Sequence, residues 1–503
     1  MAIASDVCIE QSERPVARAK SRFASGHRPK QIGLLLGPAL AAMLLLLERP
    51  DDLSFAAHAT AALMVWMAVW WATEAAPIPV TSLLPLVILP LAGAETPKAV
   101  GASYGHHIVW LLFGGFVIAT GIERWRLHKR IALNVVARAG ASKKTLILGF
   151  MMATALLSMW ISNTAATLMM APIAVSTALA INSKDNKFAA ALLLGVCYAA
   201  SIGGVASPIG TPTNLVAMDW LQRETGISIS FPQWMAVGVP AACLLIPAAW
   251  WIVARNLQDG DGRAGQDHIH RDLKVLGAVS APEARVAILF SIVALLWVTR
   301  MWTVKFADSL GWSTLADYSG AQVDMMIAIL GAIAMFIVPA GPKEGRALLT
   351  WEEAVKLPWG VILLVGGGMA LGNAVKDTGL SHWIALNLEV LNMLPAIFII
   401  AAVVALVIFL TELTSNVATM TTLAPVLGGL AAGIEAPVAS FLAPAAIAAS
   451  CAFMLPVATA PNAIVYASGK VSVGVMVRKG FWLNLIALEV ITALGFYLAP
   501  HIL

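Results

Sequence analysis

The sequence predicts an all-α polytopic membrane protein with about 11 transmembrane helices and two re-entrant hairpins, arranged as two inverted-topology repeats. Three observations predict it. The 503 residues are 59% hydrophobic and only 12% charged, with a mean hydropathy of +0.82, against about 25% charged residues in a soluble domain. Apolar windows of spanning length, roughly 17–25 residues, recur along the chain. Finally, a polar cluster inside one such window, Ser162-Asn163-Thr164 after Trp160, returns 253 residues later as Ser415-Asn416-Val417 after Leu413-Thr414.

In chain order, residues 1–31 form a basic tail (Arg14, Arg18, Lys20, Arg22, Arg28, Lys30) followed at once by an apolar run. The positive-inside rule places this tail in the cytoplasm. No signal peptide is evident, because the first apolar run starts only after about 30 residues. Eleven spans are expected near 32–48, 54–73, 77–94, 145–181, 189–217, 233–254, 285–302, 322–340, 394–432, 438–468 and 480–500. The first transmembrane segment, 32–254, holds repeat 1, and the second, 285–503, holds repeat 2. The polar stretch 255–284 between them reads as a solvated linker, and its His268-x-His270 as part of that mixed-charge loop.

Val109-Trp-Leu111-Leu112-Phe-Gly114-Gly115 parallels Val361-Ile-Leu363-Leu364-Val-Gly366-Gly367. These short apolar runs with central glycines are expected to be hairpins, about 106–122 and 357–373, because glycine permits a sharp turn. Charge supports inversion. Residues 123–145 carry seven Lys/Arg and the equivalent 374–396 carry one, Lys376. Basic loops stay inside, so the two repeats face opposite ways.

The triplets are read as breaks within long helices, about 145–181 and 394–432. Ser, Asn and Thr compete with helical hydrogen bonds and favour N-caps, and broken helices at matching places in two repeats mark a transporter's binding site. A second matched pair is Ser207-Pro-Ile-Gly210-Thr211-Pro212-Thr213-Asn214 with Pro456-Val-Ala458-Thr459-Ala460-Pro461-Asn462. Proline and glycine there free carbonyls that are tolerated at membrane depth only around a cavity or ligand. Each repeat thus offers oxygen ligands for a small monovalent cation: Ser158, Ser162, Asn163 and Gly210 in one, Thr411, Thr414, Asn416 and Ala458 in the other. Restarting helices present N-termini and hydroxyls to a shared anion. The residues expected around it are Ser162, Asn163, Thr164, Thr211, Pro212, Ser415, Asn416, Val417, Thr459 and Ala460. No Lys or Arg lies in these motifs, so anion binding should depend on the cations.

Other features carry less. Glu412 has two roles open to it, holding a coupling proton or bracing a helix end. Glu74 reads as a loop residue, His106-His107 as an interfacial anchor, and most of the 17 tryptophans as lipid-interface residues. Four cysteines without CxxC spacing read as packing residues. GxxxxGK[ST] and HExxH are both absent, so nothing indicates ATP hydrolysis or a zinc peptidase, and no nucleophile–base set suggests an enzyme.

The chain resembles the divalent anion:sodium symporter family of sodium-coupled di- and tricarboxylate and sulfate carriers. The resemblance rests on Ser450-x-x-Phe453-x-x-Pro456-Val457-Ala458-Thr459-x-Pro461-Asn462-x-Ile464, joined by Ser162-Asn163-Thr164, Ser415-Asn416, Gly210-Thr211-Pro212 and the double glycines, and covers about residues 32–503. It implies a homodimer in the inner membrane and elevator-type, Na+-coupled import of a C4-dicarboxylate such as succinate, malate or fumarate, without an organic cofactor. Sulfate or citrate uptake and sodium-independent exchange are the alternatives. Where the family often has a second Ser-Asn-Thr, this chain has Val417.

Overall fold

The computed structural model describes residues 27–181, 186–226, 228–258, 260–315, 317–342, 344–388 and 393–503. Most of the basic tail, with Cys8, lies outside the described residues. Within them the chain is helical, with two isolated bridges (Ser142 to Asp261, Pro339 to Ala347) in place of any sheet. Among the described residues nine helices are long and apolar enough to cross a membrane, and four shorter apolar helices accompany them.

The expected hairpins at 106–122 and 357–373 are not hairpins. His107–Arg124 is one continuous helix of 18 residues and Trp359–Asp377 one of 19. Their glycines serve close packing. A Cβ on Gly114 would lie 2.8 Å from the Ala328 carbonyl carbon, and one on Gly367 would lie 2.2 Å from the Ser82 carbonyl oxygen. Small residues let membrane helices approach in this way.

The chain turns back at the polar triplets instead. The expected broken helix 145–181 is a pair, Lys143–Ser158 and Asn163–Ala180. Lys143 N–H donates to Gly260 O (3.1 Å) and Gly262 N–H to Ala141 O (2.7 Å). At the far end of the pair, Thr177 and Ile181 lie within 3 Å of where a Cβ on Gly265 would stand. Both ends therefore rest on the linker, and residues 159–162 form a hairpin tip. The pair Ala396–Thr411 and Asn416–Gly433 behaves alike. A Cβ on Gly433 would lie 2.4 Å from Ala385 O, in the helix Leu380–Leu388 that leads into the pair. The linker is correspondingly more than solvated loop: its helix Arg263–Leu276 buries Ile269 completely.

Each hairpin packs beside a helix that breaks, as the second matched motif predicts. Asn186–Gly204 stops and resumes as Pro212–Thr225, and Ala439–Ala449 stops and resumes as Ala460–Ala467. Proline at the first helical position of Pro212–Thr225 is pre-set for a helix start and lacks an N–H that would be orphaned there anyway.

Contacts sort the loops into two ends. Arg124 to Glu353 (2.6 Å), Arg130 to Glu283, Trp250 to Lys144 O (2.9 Å) and Lys479 to Ile252 O (2.8 Å) join one end, where the first hairpin has its base. Trp383 to Asp52 (3.3 Å), Lys376 to Arg223 O, Ala321 N to Ser228 (3.0 Å) and Gln233 to Ile502 O (3.3 Å) join the other, with the base of the second hairpin.

Four tryptophans depart from the interfacial expectation: Trp71, Trp220, Trp234 and Trp297 are wholly buried. Trp297 stacks on Phe231 (centroids 4.9 Å apart), which stacks in turn on Trp160 (6.0 Å) at the first hairpin tip. The stack fixes that tip against the helices Phe231–Ala254 and Ala281–Val298.

Candidate binding site

A cavity of about 640 Å³ lies where the two tips and the two restarted helices meet. Asn163, Thr164 and Thr211 line it from the first half, and Thr414, Ser415, Asn416, Val417, Ala458, Thr459 and Ala460 from the second. Four helix N-termini converge on it: Asn163–Ala180, Pro212–Thr225, Asn416–Gly433 and Ala460–Ala467. First-turn N–H groups lack intrahelical acceptors and carry partial positive charge, so the walls suit an anion without a single Lys or Arg among them.

Of the residues expected at the anion, Ser162 and Pro212 stand back from the cavity. Ser162 is the N-cap of the second hairpin arm and accepts from Ala165 N (3.2 Å), and Pro212 only shapes its helix start. Sequence reasoning missed the remaining wall, Trp71, Ala72, Thr73, Glu74 and Ile78, at and just beyond the end of the helix Phe55–Thr73. Glu74 sits there with left-handed backbone (φ 48°) and pairs with Lys30 at 3.0 Å. No polar motif announces this wall, which has no counterpart in the repeat matches. Leu413, Val457 and Pro461 complete the lining.

Behind the cavity lie two knots of oxygen atoms. In the first, the wholly buried Ser158 Oγ stands 2.6 Å from Ala200 O and 2.7 Å from Asn163 Oδ1. A hydroxyl carries one proton and can donate to only one of these acceptors. Gly210 packs among further carbonyls: a Cβ there would be 2.5 Å from Gly204 O and 3.0 Å from Ser158 O. In the second knot Thr411 Oγ1, also wholly buried, stands 2.7 Å from Ala449 O and 2.9 Å from Asn416 Oδ1. Both knots hold more acceptors than protons, at helix C-termini where carbonyls carry partial negative charge. A hard monovalent cation fits such a donor set. Thr414 lines the cavity, and its hydroxyl donates to Leu410 O (3.0 Å). Ala458 likewise lines the cavity.

The unwound turns are braced in parallel. Asn214 Nδ2 donates to Gly204 O (3.0 Å) and Ser207 O (2.7 Å), and Asn462 Nδ2 donates to Ala452 O (2.9 Å) and Leu455 O (2.8 Å). Every partner is displaced by the same 248 residues. Glu412, beside the second tip, is only 3% exposed and accepts from Phe453 N, Met454 N, Leu455 N and Asn484 Nδ2.

Matched helix breaks around a polar cavity in an apolar helical bundle are the arrangement of a secondary membrane transporter. The comparisons agree. Residues 29–501 match the family described as sodium:sulfate symporter transmembrane region, and the chain belongs to that family. It is 38% identical to the sodium-dependent dicarboxylate transporter SdcS of Staphylococcus saprophyticus over 94% of this chain and 92% of that protein. The corresponding protein of Staphylococcus aureus strain USA300 is 39% identical, over 97% and 94%. The fold is also similar to two solved structures. One is MtrF of Neisseria gonorrhoeae, reported as one of a class of antimetabolite efflux pumps (TM-score 0.55, 12% identity, 91% of this chain and 97% of that). The other is the YdaH transporter of Alcanivorax borkumensis (TM-score 0.55, 15% identity, 94% and 97%).

Proposed function

We propose that this transporter couples the entry of sodium to the uptake of C4-dicarboxylates such as succinate, malate and fumarate. The observation that carries this reading is the pairing of the two proton-poor oxygen knots with one cavity. Asn163 and Asn416 each give an oxygen to a knot and a face to the cavity. A cation in each knot orients its asparagine and adds positive charge beside the anion, so the anion binds well only when the cations are bound. The names of the staphylococcal relatives support both ions.

The family description makes sulfate the competing dianion. Two donor sets, one from each half, suit an anion with two separated charges better than a compact one. Transport then works as an elevator. The hairpins and broken helices carry the site as a unit past the wall of Trp71–Ile78, in a homodimer. The two hairpins, based at opposite ends, act as inverted repeats. The end holding Arg124–Lys144 also carries Arg255, Arg263, Arg271, Lys274, Arg285, Arg346 and Lys356, which supports a cytoplasmic assignment for it and for the N-terminus in the inner membrane.

Radiolabelled succinate uptake into proteoliposomes is the test. An inward sodium gradient should drive accumulation that potassium does not support, and excess sulfate should compete weakly. Equal uptake in both gradients would replace symport with exchange, and stronger competition by sulfate would replace the dicarboxylate.

A further inference from the structure

We propose that Glu412 is a positioning residue for the second cation knot, clamping the unwound segment that follows Ala439–Ala449. This rests on the sodium-coupled reading above. Among the described residues, the four groups that hydrogen-bond to the carboxylate are N–H donors. Oε1 takes Phe453 N (2.8 Å), Met454 N (2.9 Å) and Asn484 Nδ2 (2.9 Å), and Oε2 takes Leu455 N (3.0 Å). Three successive backbone N–H groups turned on one carboxylate form the cradle of an anion. Three of the four partners are backbone N–H groups, which can only donate. Asn484 is 1% exposed, and its amide meets the carboxylate from the last long helix.

The clamp acts on the knot through a short path. Glu412 follows Thr411, whose hydroxyl lies in the knot, and holds residues 453–455, which succeed the Ala449 carbonyl. Asn462 grips the same segment at Ala452 O and Leu455 O. Asn484 extends the clamp to the last long helix, Val473–Ala493, so three elements share one anchor.

The first half solves the same problem differently. Its position equivalent to Glu412, by the 253-residue offset, is Met159, whose backbone carbonyl accepts from the Ser207 hydroxyl. The equivalent of Ser207, by the 248-residue offset, is Leu455, which has no hydroxyl to give. The carboxylate of Glu412 thus replaces a hydroxyl tether that the second half lacks. The sequence motifs place a carboxylate beside the tip but do not reveal this exchange, which needs the bonds of both halves.

Equilibrium succinate binding to the purified full-length protein, titrated with sodium, tests the proposal. Glu412→Gln turns an amide N–H₂ toward N–H donors. It should raise the half-saturating sodium concentration by about tenfold or more, with succinate affinity at saturating sodium within about threefold of wild type, and Glu412→Asp should recover part of the loss. Asn484→Ala removes a single donor, keeps the fold if Glu412→Gln does not, and should raise half-saturating sodium by about two- to fivefold. Unaltered sodium titrations in both variants would overturn the clamp. A wild type that binds succinate without sodium would fail differently, by removing the sodium reading itself.

Discussion

At the scale of single residues, the two knot hydroxyls give the sharpest expectations. Ser158 and Thr411 are wholly buried and each faces two acceptors. Ser158→Ala and Thr411→Ala should each raise the half-saturating sodium concentration by roughly tenfold, since losing a buried partner costs about 1–3 kcal/mol. Succinate affinity should recover at high sodium in a binding titration. Asn163→Ala and Asn416→Ala should remove most uptake whatever the sodium, because each asparagine serves both knot and cavity; uptake and a folding control such as gel filtration check this together. Val417 and Thr164 hold the same place in the two halves, and both line the cavity. Val417→Thr adds a hydroxyl on one side only and should change the ranking of succinate against citrate and sulfate in competition assays. An unaltered ranking would mean the position does not reach the anion.

At the scale of elements, the unwound segment 450–459 depends on a glycine contact as well as on Glu412. A Cβ on Gly480 would lie 2.2 Å from Phe453 O and 2.8 Å from Met454 Cα, whereas one on Gly474 in the same helix meets nothing within 4 Å. Gly480→Ala should therefore lower the thermal midpoint in detergent and cut uptake, at a cost of about 1–3 kcal/mol for overpacking; Gly474→Ala should leave both near wild type. The positions of the breaks were legible in the sequence because Ser162, Asn163, Ser415 and Asn416 are polar residues in apolar runs. The hairpins were not. Gly114 and Gly367 read as turns, yet they are packing positions against Ala328 and Ser82. Sequence carries the presence of a glycine but not whether its missing Cβ makes room for a turn or for a neighbouring helix. The turn-back at residues 159–162 becomes visible only through contacts at the base of the hairpin, made by residues about a hundred positions away in the linker. The wall from Trp71 to Ile78 was hidden for a related reason: it lines the cavity from outside both repeats.

At the scale of the whole molecule, the two-ended arrangement of loops predicts orientation. In a cysteine-less background, a cysteine at Arg138 should react only with reagent applied from the cytoplasmic side, and one at His382 only from outside. Labelling of both from one side would remove the inverted arrangement and with it the alternating-access reading. The central claim is that cation and anion occupy linked parts of one site. Linkage is reciprocal, so succinate must tighten sodium by the factor with which sodium tightens succinate. The direct measurement is succinate binding to the purified protein at equilibrium across a sodium titration, repeated in potassium, with sodium affinity measured in the absence and presence of succinate. The account predicts the same factor in both directions and no tightening in potassium. Succinate binding that is equally strong in sodium and potassium would contradict it.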